Sequence, residues 1–204
     1  MPNLRHVVLV RHGETEGNSS TRFHGANDVG LADAGREQMR RVRFALRREA
    51  FDRVFASPLQ RSWEAARIVS GGAAVQLVAD LREVDFGRWE GLTQQEIEAS
   101  DPTLYRDWQN DRANFDFPDG EGRSEFRARV ENAFDEIASS GIASALIVVH
   151  KGTIRTIAQK LLGEALPEGE PGLADVVELS CGADGKWFRG RHGSDAPSPE
   201  RQTA

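Results

Sequence analysis

Cysteine is almost absent: the single thiol, Cys181, has no partner for an intramolecular disulfide and suits a reducing compartment. Long apolar runs are missing too. Near the amino terminus only Val7 to Val10 is continuously apolar, shorter than a secretory core, and nothing approaches the roughly 20 apolar residues of a membrane span. A cytoplasmic location with no membrane partner is therefore expected. There is no excess of basic residues either. A net charge of −6 with 28% charged residues argues against a general nucleic-acid surface, so any anion site must be a local concentration of positive charge. Composition shows no break and no repeat of domain-building length, and 204 residues suffice for one domain with a full core. We expect one domain over 1–191 and a disordered tail over 192–204, where Ser194-Asp195-Ala196-Pro197-Ser198-Pro199 offers nothing to a core.

What the chain does have is a pair of strands that end in histidine. Val7-Val8-Leu9-Val10 reads as a strand buried on both faces, and it stops at Arg11-His12-Gly13-Glu14-Thr15. Ala145-Leu146-Ile147-Val148-Val149 repeats the pattern and stops at His150, with Gly152 before a helix over Thr153–Leu162. Two such strands in one α/β sheet deliver both imidazoles to the same carboxyl edge, where open sheets place their ligands. Position matters more than the triplet. Arg191-His192-Gly193 repeats the same three residues but leads only into the tail.

Between the strands the sequence alternates helix and loop. A polar loop at 16–30 should lie over the sheet edge. Asp33 can cap the next helix, whose Met39, Val42 and Leu46 share one face while Arg36, Arg40, Arg43 and Arg47 form a solvated one. A second strand at 52–56 precedes Ser57-Pro58, read as N-cap and first helical residue, which puts Arg61 in the first turn. Weaker strand character at 76–78 leads to the acidic and aromatic loop 81–91. Helices are expected at 93–99, 102–111 and 124–139, the last with Phe126, Val130, Phe134 and Ile137 as its core stripe. A surface connection over 163–174 leads to a closing hairpin of 176–180 and 186–189.

Together Arg11, His12, Arg61 and His150 give two fixed guanidinium charges and two imidazoles in an acidic chain. That set suits a phosphoryl group. Arginine forks bind phosphate oxygens and stabilise charge on a transferring phosphoryl group. An exposed imidazole at a strand end can attack phosphorus if its other nitrogen is held as a donor. A carboxylic acid must protonate the departing oxygen, and Glu83 is the candidate.

These residues resemble the histidine phosphatase superfamily, in its phosphoglycerate mutase-like phosphatase branch. Arg11-His12-Gly13-Glu14-Thr15 with Asn18, continued by Gly25, Asp28, Leu31 and Gly35, is similar to the family's opening motif. Ser57-Pro58-Leu59-Gln60-Arg61, Glu83 to Gly91, and Val149-His150-Lys151-Gly152-Thr153-Ile154-Arg155 resemble the other three, and the ordered set spans about residues 4 to 190. The resemblance implies a three-layer α/β/α sandwich with a mostly parallel central sheet. It also implies His12 as the phosphorylated nucleophile, Arg11, Arg61, His150 and Asn18 as phosphate-binding residues, Glu83 as proton donor, a small phosphorylated substrate, and no metal or other cofactor. Gly25, Glu121 and Lys151 are substrate-side candidates. Three positions depart from the pattern: Ala32 replaces a capping threonine, Gly122 stands where many members have serine, and Lys151 replaces a small residue after the second histidine.

Phosphomonoester hydrolysis is the leading reading. A cofactor-dependent phosphoglycerate mutase would use the same residues, but Val84 to Gly91 looks more like the phosphatase branch and the longer mutase insertions are missing. A non-catalytic binding module is disfavoured because no catalytic position is lost. A metal site from His6, His12 and His24 lacks tight ligand spacing. Neither the natural substrate nor the oligomeric state is readable.

Overall fold

The computed structural model describes residues 4–190. Strand β1 (His6–Arg11) lies inside the sheet because its side chains offer no polar face: Val7, Val8, Leu9 and Val10 are all completely buried. It pairs in parallel with β4 (Ser144–Val149), in a register that sets Arg11 opposite Val149. Its other edge takes β5 (Val176–Cys181) in antiparallel. With β2 (Arg53–Ala56), β3 (Val75–Leu77) and β6 (Trp187–Arg189) the sheet has six strands in the order β3-β2-β4-β1-β5-β6. β3, β2, β4 and β1 run parallel, whereas β5 and β6 form the antiparallel hairpin.

Successive strand residues face opposite sides, and each side is covered by helices. Val8 and Val10 pack with Met39 and Val42 of α1 (Asp33–Ala45) and with Ala65, Ala66 and Val69 of α2 (Gln60–Val69). Val7 and Leu9 face the larger cluster, built on α5 (Arg123–Ala138) and α6 (Lys151–Leu162). Short helices α3 (Gln94–Ser100) and α4 (Pro102–Asn110) bring Ile97, Tyr105 and Trp108 to that cluster, where Trp89 is fully buried among Trp108, Phe115 and Phe117. This is the expected three-layer sandwich. The stripe Phe126, Val130, Phe134 and Ile137 is buried as read from its spacing.

Two helix starts differ from expectation in how they are capped, and at α2 a partner distant in sequence does the capping. α2 begins at Gln60 with Leu59 as N-cap, so Ser57 and Pro58 lie before the helix. Asp28, from the loop after β1, accepts the Gln60 N–H at 2.6 Å, while Ser57 Oγ accepts only the Leu59 N–H at 3.3 Å. α1 has Ala32 at its N-cap with no side-chain bond, and Asp33 is the first helical residue, paired with Arg36. α6 starts at Lys151, two residues earlier than expected, and β3 lies one residue earlier. Arg191-His192-Gly193 and the tail fall outside the described residues.

Candidate active site

The register of β1 against β4 places the two histidines together at the carboxyl edge. The His12 N–H donates to the Val149 carbonyl at 3.1 Å, and the His12 and His150 rings lie 5.2 Å apart with their planes at 64°. Contrary to the sequence reading, His12 is not exposed: 3% of it reaches solvent, because the loop after β1 folds back over the edge. His12 Nδ1 is 2.8 Å from the Gly13 carbonyl. A nitrogen facing a carbonyl can only donate, so in the neutral ring the lone pair is on Nε2. His150 is equally buried, and neither of its nitrogens has a hydrogen-bond partner among the described residues.

Arg61 enters from the first turn of α2 and is fully buried. Its Nη1 donates to Asn27 O at 2.7 Å, and its Nη2 donates to Gly25 O at 2.8 Å and His24 O at 3.0 Å. Arg11 is tethered through Nη1 to Pro171 O at 3.0 Å. The buried Nε of each guanidinium is unpaired. Glu83 completes the cluster with its carboxylate docked on α6: Oε2 accepts the Gly152 N–H at 2.9 Å and Oε1 accepts the Val84 N–H at 3.0 Å. A Cβ at Gly152 would collide with Glu83 Oε1, so only glycine allows this approach.

The electrostatics follow from the packing. Burial holds the His12 pKa well below 6.5, with the charges of Arg61 and Arg11 acting the same way and the Gly13 bond opposing them. His150 is lowered by burial first, then by Arg61, His12 and Arg11. Burial also lowers Arg11 and Arg61, against the pull of Glu83, but guanidinium groups stay charged. The result is two neutral imidazoles between two cations, with a carboxylate close by. Such a site can hold a tetrahedral oxyanion and present one nucleophilic nitrogen to it.

Other expected site residues play varied parts. Asn18 is exposed, with φ of +57°, and its carbonyl accepts the Thr21 and Arg22 N–H groups. Its side chain makes no hydrogen bond among the described residues. Gly25 is a backbone element of the site: its carbonyl holds Arg61, its N–H is held by Glu90, and a Cβ there would strike the Val84 carbonyl. Glu121 is committed to Arg129, which it grips through Nε and Nη2. Lys151 is half-buried, with Nζ donating to Gly169 O at 2.7 Å. Arg82, Glu83, Asp85, Glu121 and Arg129 line a cavity of about 450 Å³.

Two organising residues escaped the sequence reading. Glu90 accepts the N–H groups of Gly25, Ala26, Asn27 and Phe86, which shapes the very carbonyls that hold Arg61. Arg129 donates to the carbonyls of Asp80, Arg82 and Glu83 and so fixes the backbone that carries the carboxylate. The acidic loop was recognised as more than core, and Glu90 beside Gly91 was its available signal. Arg129 lies in a helix with many charges, and no local pattern marks it. His6, His12 and His24 do not converge: His6 pairs with Glu178 at 3.1 Å at the other end of β1, and His24 Nε2 faces Gly17 O. No group of three metal-ligating side chains forms among the described residues.

Known proteins resemble this chain in sequence and in fold. The family described as the histidine phosphatase superfamily, branch 1, matches residues 7–190. The adenosylcobalamin/α-ribazole phosphatase of Salmonella typhimurium is 34% identical over 157 residues, covering 76% of this chain and 78% of the relative. The crystal structure of the α-ribazole phosphatase from Shigella flexneri superposes with a TM-score of 0.79 at 26% identity, over 96% of this chain and 99% of that one. A mycobacterial glucosyl-3-phosphoglycerate phosphatase in complex with vanadate gives 0.80 at 29% identity, over 91% and 97%. Among the described residues no helix is long and apolar enough to cross a membrane.

Proposed function

This chain belongs to the histidine phosphatase superfamily, and on that premise we propose that it hydrolyses the monoester of a small phosphorylated metabolite through a phosphohistidine on His12. One observation carries the assignment of roles. The Gly13 carbonyl holds His12 Nδ1, which leaves Nε2 as the lone-pair nitrogen in a buried site flanked by Arg11 and Arg61. In the first step Nε2 attacks phosphorus while the ester oxygen departs with the proton of Glu83. The new P–N bond replaces the broken P–O bond, and the alcohol leaves neutral. Arg11, Arg61 and His150 hold the equatorial oxygens, and Asn18 closes over them from the loop after β1. Glu83, now a carboxylate, takes a proton from water as that water attacks phosphorus, the P–N bond breaks, and inorganic phosphate and free His12 result.

Every bond in this cycle is made or broken by groups of the chain, the ester and water, so no step calls for a metal. We place the enzyme in the cytoplasm, as a single domain over 1–191, with small phosphate esters rather than nucleic acids or membranes as its partners. Known relatives named for α-ribazole phosphate and for glucosyl-3-phosphoglycerate bracket the leaving groups worth screening. The decisive experiment pairs phosphate release with circular dichroism for His12→Ala. A folded variant without turnover is expected, together with an acid-labile, base-stable phosphoenzyme in the wild type and full rates in EDTA. Substantial activity in the folded variant would end the nucleophile assignment.

A further inference from the structure

Building on the phosphatase reading, we infer that Lys151 binds a second anionic group, carried by the alcohol part of the substrate as a carboxylate or a further phosphate. Lys151 is the first residue of α6, between His150 and the Gly152 that holds Glu83. It is half-buried, and its one hydrogen bond is to a neutral acceptor, Gly169 O at 2.7 Å. An ammonium has three N–H groups, so two remain for a ligand while the first keeps the side chain in place. No carboxylate lies within ion-pair distance of it among the described residues.

The surrounding charge makes that position costly without an anion. Arg11, Arg155 and Arg112 all act on Lys151 with the same sign, and Glu83 is the opposing charge that reaches it. Arg155 is engaged with the carbonyls of Leu166, Pro167 and Glu170 and Arg112 is paired with Glu168, while Arg11, held to Pro171 through Nη1, keeps its other N–H groups for the phosphoryl group. Lys151 is thus a cation at this edge with two N–H groups to spare and no ion pair among the described residues. The amino end of α6 adds its own positive field, which disfavours a lysine and favours an anion. At the same helix end, the buried His150 has two unpartnered nitrogens. The phosphoryl group answers to Arg11, Arg61 and His150. A substrate that meets Lys151 as well must carry its extra charge beyond the ester oxygen.

The test compares two alkyl monoesters, 3-phosphoglycerate and glycerol 3-phosphate, which differ by a carboxylate. Binding is measured by calorimetry in the His12→Ala background, where turnover is stopped, and kcat/KM is measured with His12 intact. Lys151→Met should weaken 3-phosphoglycerate about tenfold and glycerol 3-phosphate less than twofold. Lys151→Arg should restore most of the difference, and added salt should shrink it. Equal losses for both esters would assign Lys151 to the phosphoryl group, and no loss for either would leave it a surface residue; both overturn the inference. Failure of the phosphatase reading appears separately, as absence of wild-type turnover, while the binding ratio still decides the role of Lys151.

Discussion

Gly152→Ala separates catalysis from stability more sharply than removal of Glu83 itself. The added Cβ would overlap Glu83 Oε1 and sit 3.2 Å from Phe126 Cζ. Because the obstructed atom is the end of a flexible side chain, the carboxylate gives way rather than the backbone. It leaves the Gly152 N–H, a charge-assisted bond of 2.9 Å worth about 1.5–3 kcal/mol. Alanine in the first turn of α6 returns about 1 kcal/mol of helix propensity, so the fold should lose only about 1 kcal/mol, a few degrees in Tm. Activity responds to the same displacement quite differently. If the carboxyl no longer meets the leaving oxygen, kcat for an alkyl ester should fall about a hundredfold, the low end of what general acid catalysis contributes. An aryl ester, whose oxygen leaves without a proton, should fall only a few-fold. Initial rates on glycerol 3-phosphate and p-nitrophenyl phosphate, with thermal melts of the same samples, supply both halves. Equal losses on the two esters, or a fall in Tm large enough to explain them, would refute the argument.

Glu83→Gln can keep only one of the two backbone contacts, since its amide nitrogen cannot accept an N–H, and it has no acidic proton to give; it should retain phosphate binding while losing alkyl esters far more than aryl esters in steady-state rates. Arg129→Met releases Glu121 and three carbonyls under the acid loop; a loss of about 2 kcal/mol is expected by denaturant titration, with kcat reduced and product phosphate binding nearly kept. For pH, the proposed nucleophile must be neutral to attack, and its lowered pKa predicts that the acid limb His12 gives to kcat/KM falls below 6.5. Stability has the matching sign. His12 and His150 both bind protons less readily when folded, so the unfolded chain takes up protons first, and stability should rise with pH from their lowered values up to about 6.5, then level off in urea titrations at fixed pH.

The elements legible in the sequence were those whose cause is local. Val7 to Val10 and Ala145 to Val149 are apolar without alternation because both faces of those strands are covered, and a continuous run is how burial on two sides is written. Their shared edge follows from topology, so two strands of this kind in one sheet bring His12 and His150 together. The helix stripe from Phe126 to Ile137 was equally plain. Boundaries were less so where the cap comes from elsewhere: Asp28 caps α2 across 32 residues of chain, and Ser57-Pro58 carries a complete local start signal that this contact overrides.

The same distinction explains what was visible of the site. Of the groups proposed for the chemistry, His12, His150 and Arg61 lie at strand ends or a helix start, where a charged or imidazole side chain interrupts an apolar pattern and is conspicuous, and Glu83 lies in the acidic loop. Those that aim them do not interrupt anything. Arg129 is one of several arginines in α5, and its reach to Asp80, Arg82 and Glu83 exists only once α5 lies across the acid loop. Glu121 was singled out for the substrate side and lines the cavity, yet its oxygens are spent on Arg129. A carboxylate that pairs with the cation beneath Glu83 acts indirectly, by fixing the backbone that carries the proposed general acid. Glu90 does the equivalent for Arg61 through the backbone of Gly25 to Asn27. Both the cation and the acid of this site are therefore set by a second carboxylate, and a substitution at Glu90 or Glu121 should disturb catalysis through geometry while every group proposed to touch substrate is still present.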